Sequence, residues 1–403
     1  MNGSLKSLFF ISALTSGAAL LADENLQVKA STVSQMFEEG KVSGNIRAIY
    51  AGYNQKQLGE DDVYATALGG YLKYELSELD GFSAAAAFAV SHDLGFATGE
   101  RGSKQNDELS SSNGEYNTLS EAYLNYSYND FNFRAGRQLI DTPLADSDDI
   151  RMIQNTFEAY IATYETLNFN FMAGKLEKWQ GTDAGLDNGW VKTGEDGTLF
   201  GGITYSKDTM EANAWYYNIS KLTDATYLDA KFGYEISDDL SILGAVQYLR
   251  ENEIDNSGTK ASVYGLLAEV SAYGFTLNAA YNNSQKESGK ASFSGFGGGA
   301  LFTSMDSMIL DAITMDRGAK AVVAGFTYNY NNLKLMYAYG DFKGNANSLG
   351  AKEHIIEQNI GCEYTLQKEL MLAVVYVKDR DKEHSYSNGG NWENMRVLLS
   401  YNF

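Results

Sequence analysis

Period-two alternation of apolar and polar residues recurs along this chain in segments about ten residues long, and that length narrows the possible fold more than any other feature. Soluble strands cluster near ~5 to 6 residues, whereas a tilted strand crossing a bilayer needs ~9 to 11. In the last segment Met395, Val397, Leu399, Tyr401 and Phe403 share one face, and Arg396, Leu398, Ser400 and Asn402 share the other. Leu228, Ala230, Phe232, Tyr234 and Ile236 likewise oppose Tyr227, Asp229, Lys231, Gly233 and Glu235. One face suits lipid and the other water. A soluble sandwich would also alternate, so the connections must decide.

The pattern predicts eighteen strands, over residues 42–51, 64–76, 82–92, 118–129, 131–139, 157–165, 167–175, 198–206, 210–219, 226–236, 240–251, 261–272, 275–285, 320–330, 333–342, 355–366, 370–380 and 393–403. Every second connection is tiny and rich in turn residues, as at Asn129-Asp130, Tyr273-Gly274 and Asn331-Asn332. The intervening connections are mostly long, including residues 93–117, 140–156, 177–197 and 286–319. Short turns on one rim and long loops on the other mark an all-β, transmembrane antiparallel barrel with periplasmic turns and extracellular loops. In hydrocarbon an open edge would leave N–H and C=O groups unpaired, so the sheet must close. At this strand number a closed barrel encloses an aqueous lumen. Closure is expected where the apolar ladder ending in Tyr401 and Phe403 meets the first strand. Tyr50, Tyr74, Tyr128, Tyr164, Tyr205, Tyr248, Tyr281 and Tyr401, at strand ends, suit aromatic girdles at the two interfaces.

Composition excludes the competing classes. Lys and Arg total 31 against 52 Asp and Glu, a net charge of −21, which does not suit phosphate binding. The chain's 28 Tyr, 20 Phe and 4 Trp are too many for a disordered acidic chain. Only the extreme N-terminus has a sustained apolar run, so no membrane-spanning helix is predicted. Lys6 precedes the apolar stretch Leu8 to Leu21, and Ala22 stands before Asp23-Glu24, the layout of a secretory signal peptide. Cleavage after Ala22 is preferred and cleavage after Ala19 competes. The chain then divides into a leader (1–22), a periplasmic lead-in (23–41) and the barrel (42–403). Within the lead-in, Thr32-Val33-Ser34-Gln35 can cap a short helix ending at Gly40. Cys362 is the only cysteine and can form no internal disulfide.

Gly136-Arg137-Gln138, Thr142-Pro143-Leu144, Asp149 with Arg151, and Thr156-Phe157-Glu158 together resemble the OprD-type porins and the related major outer-membrane porins of epsilon-proteobacteria. Glu39-Gly40-Lys41-Val42-Ser43-Gly44 and the terminal Tyr401-Asn402-Phe403 extend the resemblance. Gln154 stands where that family often has proline, and Ala159 where it often has glycine. The resemblance implies that the loop after the fifth strand, residues 140–156, folds into the barrel and narrows it. Its Asp141, Asp146, Asp148 and Asp149 outnumber the single Arg151, which would otherwise read as a solvated acidic loop. Alternation places Arg47, Arg134, Lys231, Lys334 and Arg396 on the lumen side with Glu121, Asp229, Glu357 and Glu363. Such rows either set up a transverse field or pair across neighbouring strands to satisfy a polar wall.

Signals for chemistry are weak. His92, His354 and His384 lack ligand spacing. Gly295 to Ala300 matches a loose G-x-G-x-x-A string without strand-then-helix context, and reads as a flexible loop. No G-x-S-x-G elbow occurs. No cofactor or metal is expected. The function expected is passive, cation-preferring diffusion of ions and small hydrophilic solutes across the outer membrane of a Gram-negative bacterium. Outer-membrane lipid and lipopolysaccharide, the barrel-assembly machinery and, since porins commonly form trimers, a homotrimer are the expected partners. An adhesin or receptor acting through its long loops, or an outer-membrane hydrolase, are the alternatives.

Overall fold

The computed structural model describes residues 29–55, 59–101, 103–148, 150–385 and 390–403. The leader and Asp149 therefore lie outside the described residues. One antiparallel sheet closes on itself, and its staves are eighteen strands in chain order. These are β1 Lys41–Asn54, β2 Val63–Glu75, β3 Phe82–Asp93, β4 Glu115–Tyr128, β5 Phe131–Gln138, β6 Thr156–Thr166, β7 Phe169–Gln180, β8 Thr198–Lys207 and β9 Met210–Ile219. The circuit continues through β10 Thr223–Ser237, β11 Leu240–Glu253, β12 Ala261–Ala272, β13 Phe275–Ser284, β14 Ala319–Tyr330, β15 Leu333–Gly344, β16 Glu353–Gln367, β17 Leu370–Asp381 and β18 Asn391–Asn402. A nineteenth piece, Val191–Lys192, only lengthens the edge of β7. Every segment predicted from alternation coincides with one of these staves. Most extend further toward the rim that carries the long loops.

Two-residue turns at 129–130, 167–168, 208–209, 238–239, 273–274, 331–332 and 368–369 define one rim. Asn129 and Asn331 take φ of 50° and 51°, which suits the tight primed turns that follow the right-handed twist of a hairpin. The opposite rim carries the longer connections, the longest being residues 285–318. On the turn rim, helix α1 (Val33–Glu38) begins at Thr32, whose hydroxyl accepts a hydrogen bond from the Gln35 N–H. This is the capping expected from the Thr32 to Gln35 spacing.

β1 and β18 seal the barrel, with Ile46 opposite Tyr401 and Tyr50 opposite Val397. Beyond the last ladder pair, Gly44 and Phe403 exchange both backbone hydrogen bonds, at 2.9 and 3.0 Å. The Tyr401 and Phe403 rings stack outside the wall, their centroids 6.2 Å apart. Deleting Phe403 removes that exchange and leaves the Gly44 N–H and C=O unpaired at the seam, where unsatisfied backbone groups are costly in lipid. The deletion is expected to lower the yield of heat-modifiable folded barrel on gel electrophoresis. Undiminished insertion would show that the seam does not depend on this residue.

Side-chain alternation survives around the circuit. On β18, Met395, Leu399 and Tyr401 are exposed on the outer face, while Arg396, Leu398 and Ser400 are buried inside. On β4 the register slips by one residue opposite Ala87 and Phe88 of β3, so that Ser120 and Glu121 both turn inward. A bulge of this kind re-aims a side chain without ending the strand. The buried apolar residues gather where long loops press on the inner wall. One cluster joins Leu144 and Ala145 to Phe157, Tyr217, Phe296, Leu301, Met308 and Leu310. A second joins Ile150, Met152 and Ile153 to Ile49, Ala65, Val375 and Leu398.

Candidate functional site in the lumen

The connection from β5 to β6 leaves the wall as a small ribbon, pairing Asp141 with Asp146 and Thr142 with Ala145. Its two ends touch opposite sides of the barrel. The Leu144 N–H faces the Tyr217 hydroxyl of β9 at 3.4 Å, while Ile150, Met152 and Ile153 pack among residues of β1 to β3 and β15 to β18. This loop crosses the lumen.

A second loop, residues 285–318, runs beside it, and here the structure corrects the reading of Gly295 to Ala300 as a flexible string. Asp146 N–H donates to the Phe296 carbonyl at 3.0 Å, and Phe296 N–H donates to the Leu144 carbonyl at 2.9 Å, joining the two loops as parallel backbone. Gly297, at φ +80°, lies so close to Asp146 and Asn155 that a Cβ would collide with both. Wall carboxylates then bind this loop by its backbone. Glu251 accepts from Phe293 N–H, and Glu357 accepts from Ser307 and Met308 N–H at 3.1 and 2.7 Å.

Charged groups join the loops to the seam of the barrel. Arg151 binds Glu108 at 3.0 Å, Asp183 at 2.8 Å and Asp148 at 3.6 Å, and its carbonyl accepts from Arg47 of β1 at 2.6 Å. Arg396 of β18 forms a two-pronged bond to Asp306, both arms 2.6 Å, and reaches Glu108 at 2.5 Å. Burial works to raise the Asp306 carboxyl, but the Arg396 guanidinium more than offsets it and holds that acid below the usual carboxylate range. Glu108, Asp183 and Asp306 had no signal in the strand pattern, because all three sit in connections where periodicity is silent.

The remaining lumen charges mostly pair along the wall. Lys231 faces Glu211 at 3.2 Å and Lys334 faces Glu363 at 3.5 Å, each directly across adjacent strands. Glu121 holds Lys73 at 3.0 Å. Arg134 lies over the Tyr123 ring, 4.3 Å from its centroid, and donates to Asn125. Asp229 accepts from Asn213 at 3.1 Å. These contacts are those of a satisfied polar wall, and the structure does not gather the four acids and five bases of the predicted rows into one site. Arg47 and Arg396 alone join the loops named above through their cationic groups.

Between the two loops and the inner faces of β8, β9 and β10 lies a cavity of about 750 Å³. Asp141, Asp146, Asp148, Asp183, Glu211, Asp229 and Asp306 border it, against Arg151 and Lys231, with Trp179, Trp215 and Tyr227 supplying an aromatic wall. Asp141 and Asp146 form no ion pair among the described residues. Burial, reinforced by Asp141 and Asp183 and opposed by the Asp148 N–H, pushes the Asp146 carboxyl up to about 6. No group of three or more His, Cys, Asp or Glu positioned to hold a metal ion occurs among the described residues. His92 lies near Glu115 and His354 near Asp341, both as simple pairs.

A family model described as outer membrane porin, OprD family, matches residues 78–403. No curated protein matches. Among solved structures, Acinetobacter baumannii OccAB4 superposes with a TM-score of 0.76 at 15% identity, over 94% of this chain and 100% of that one. Pseudomonas aeruginosa OpdK, solved with vanillate, gives 0.76 at 15% identity, over 91% and 99%. A BenF-like porin from Pseudomonas fluorescens Pf-5 gives 0.79 at 14%, again over 91% and 99%. At such identities the superpositions establish a shared barrel.

Proposed function

The chain belongs to the OprD family of outer-membrane porins, and from that premise we propose that it is a diffusion channel for ions and small hydrophilic solutes that prefers cations, narrowed by the loop at 140–156. The single observation that carries the preference is the imbalance of charge around the lumen cavity, seven carboxylates against two bases, one of the seven, Asp306, being held by Arg396. Arg151 adds little positive field there, since three carboxylates surround it. Lys231 is likewise matched by Glu211. Asp141, Asp146 and Asp229 are left to act on a permeating ion, and partial desolvation strengthens their effect over that in bulk water.

The 285–318 loop supports the same reading by a different route, because its bonds to Glu251, Glu357 and Arg396 hold one side of the passage in place. The lead-in at 23–41 and the two-residue turns are assigned to the periplasm, and the long loops to the cell exterior. Assembly through the barrel-assembly machinery into lipid and lipopolysaccharide, a homotrimeric state, and kinship with the major porins of epsilon-proteobacteria belong to the same proposal. Purified protein in a planar bilayer under a KCl gradient should give a reversal potential of the sign that reports K⁺ permeating faster than Cl⁻. The effect should shrink at high salt, where screening shortens to ~3 Å at 1 M. A reversal potential of the opposite sign would overturn the preference while leaving the channel itself in place.

A further inference from the structure

Resting on the porin reading, we propose that the lumen cavity is a transit site for small organic cations with a flat apolar body, the ring lying against Trp215 and the cationic head reaching Asp229. The indole has a built seat. Trp215 of β9 stands directly opposite Gly202 of β8, and its ring lies so close over that glycine that any Cβ there would collide with it. Phe200 and Tyr217, stacked on each other 6.0 Å apart, lie beside the indole on one side, their rings near-parallel to it and their centroids 6.4 and 6.3 Å away. Seated over Gly202 with this pair beside it, the largely buried indole borders the cavity.

The acid is placed by register. Trp215 pairs across the ladder with Tyr227, and Asp229 is the next inward residue along β10. At a strand rise of ~3.4 Å per residue, the carboxylate lies about 7 Å along the wall from that aromatic pair. Asn213 bonds one of its oxygens, which fixes the group without neutralising it. A ring gains from stacking on an aromatic wall, and a cation gains both from the carboxylate and from the face of an indole. A two- or three-carbon spacer between ring and ammonium spans the distance. An aryl carboxylate of the same shape would set its charge against Asp229, Asp141 and Asp146.

The test uses the full-length barrel in planar bilayers, with four probes added to one side. Phenethylammonium carries ring and charge, ethylammonium the charge alone, 2-phenylethanol the ring alone, and 3-phenylpropionate the ring with the opposite charge. Phenethylammonium should interrupt the KCl current at concentrations at least tenfold below those needed by any of the other three. Trp215→Ala should erase its advantage over ethylammonium, and Trp215→Phe should restore much of it, which separates a lost ring from a misfolded wall. Asp229→Asn should bring phenethylammonium close to 2-phenylethanol. Equal block by phenethylammonium and ethylammonium, or undiminished block in Trp215→Ala, would overturn the transit site and leave the porin standing. A wild-type barrel that inserts and passes no current would overturn the porin reading itself, and this one with it.

Discussion

Replacing Asp141 and Asp146 together by asparagine should reduce the preference for K⁺ over Cl⁻ severalfold in a KCl gradient while the barrel folds and inserts as before. The two residues face each other across the small ribbon inside the lumen. Each uses one side-chain oxygen locally, Asp141 accepting from Ser147 N–H at 3.3 Å and Asp146 from Asp148 N–H at 3.0 Å. Asparagine keeps that acceptor and the side-chain volume, so charge is the quantity removed. At an effective dielectric of about 20, a unit charge ~12 Å from a permeating ion alters its energy by about 1.4 kcal/mol, which is tenfold in partitioning before screening. Two such charges outweigh any pair on the open rim. An equal neutralisation at the exposed Glu60 and Asp61 should therefore change the reversal potential far less. If the rim variant matches the lumen variant, the acidic surface as a whole sets ion preference and the ribbon has no special place.

How much of this could be read beforehand differs sharply between wall and contents. The strands were legible because a wall residue has only two environments, lipid or lumen, and a period of two reports which one it meets. Arg396 and Glu357 could thus be placed inward from their neighbours alone. What they touch could not. Arg396 binds Asp306 and Glu108, and Glu357 binds the backbone of Ser307 and Met308, all in connections whose path is set by tertiary packing. One signal was available and unused. Residues 285–318 contain Phe293, Phe296, Leu301, Phe302, Met305, Met308, Ile309, Leu310 and Ile313, far too much apolar surface for a connection that stays in water. Its glycines suggested flexibility, whereas the positive φ of Gly295 and Gly297 serves a close approach to the neighbouring loop. The ribbon loop was placed inside by resemblance, since its composition fits a solvated rim equally well. The charged rows were legible by face, but their pairing, Lys231 to Glu211 and Lys334 to Glu363, depended on register between strands that alternation does not supply.

Acidification should weaken cation preference in a step centred near pH 6, well above the range in which exposed carboxylates titrate. Asp146 is the group responsible, its carboxyl pushed up to about 6 chiefly by burial, with Asp141 and Asp183 adding to the rise. An acid with a raised value is ionised above it and neutral below it. Lowering the pH from 7 to 5 therefore removes one negative charge from the cavity. The same sign governs stability. A raised carboxyl contributes most to the fold below its ordinary value near ~4 and progressively less as pH rises through about 6, so mild acid does not release the ribbon through this group. The change is one of charge within an intact passage, and single-channel conductance should persist while the reversal potential moves toward zero. Asp311 also stands at about 6 through burial, but it belongs to the 285–318 loop itself, near Ser292 and Glu251, and does not line the cavity. Asp146→Asn separates the two. In that variant the reversal potential should already sit close to the wild-type value at pH 5 and should be flat between pH 7 and 5. A step of undiminished size in Asp146→Asn would assign the titration to Asp311 or another buried acid and remove Asp146 from the account of selectivity.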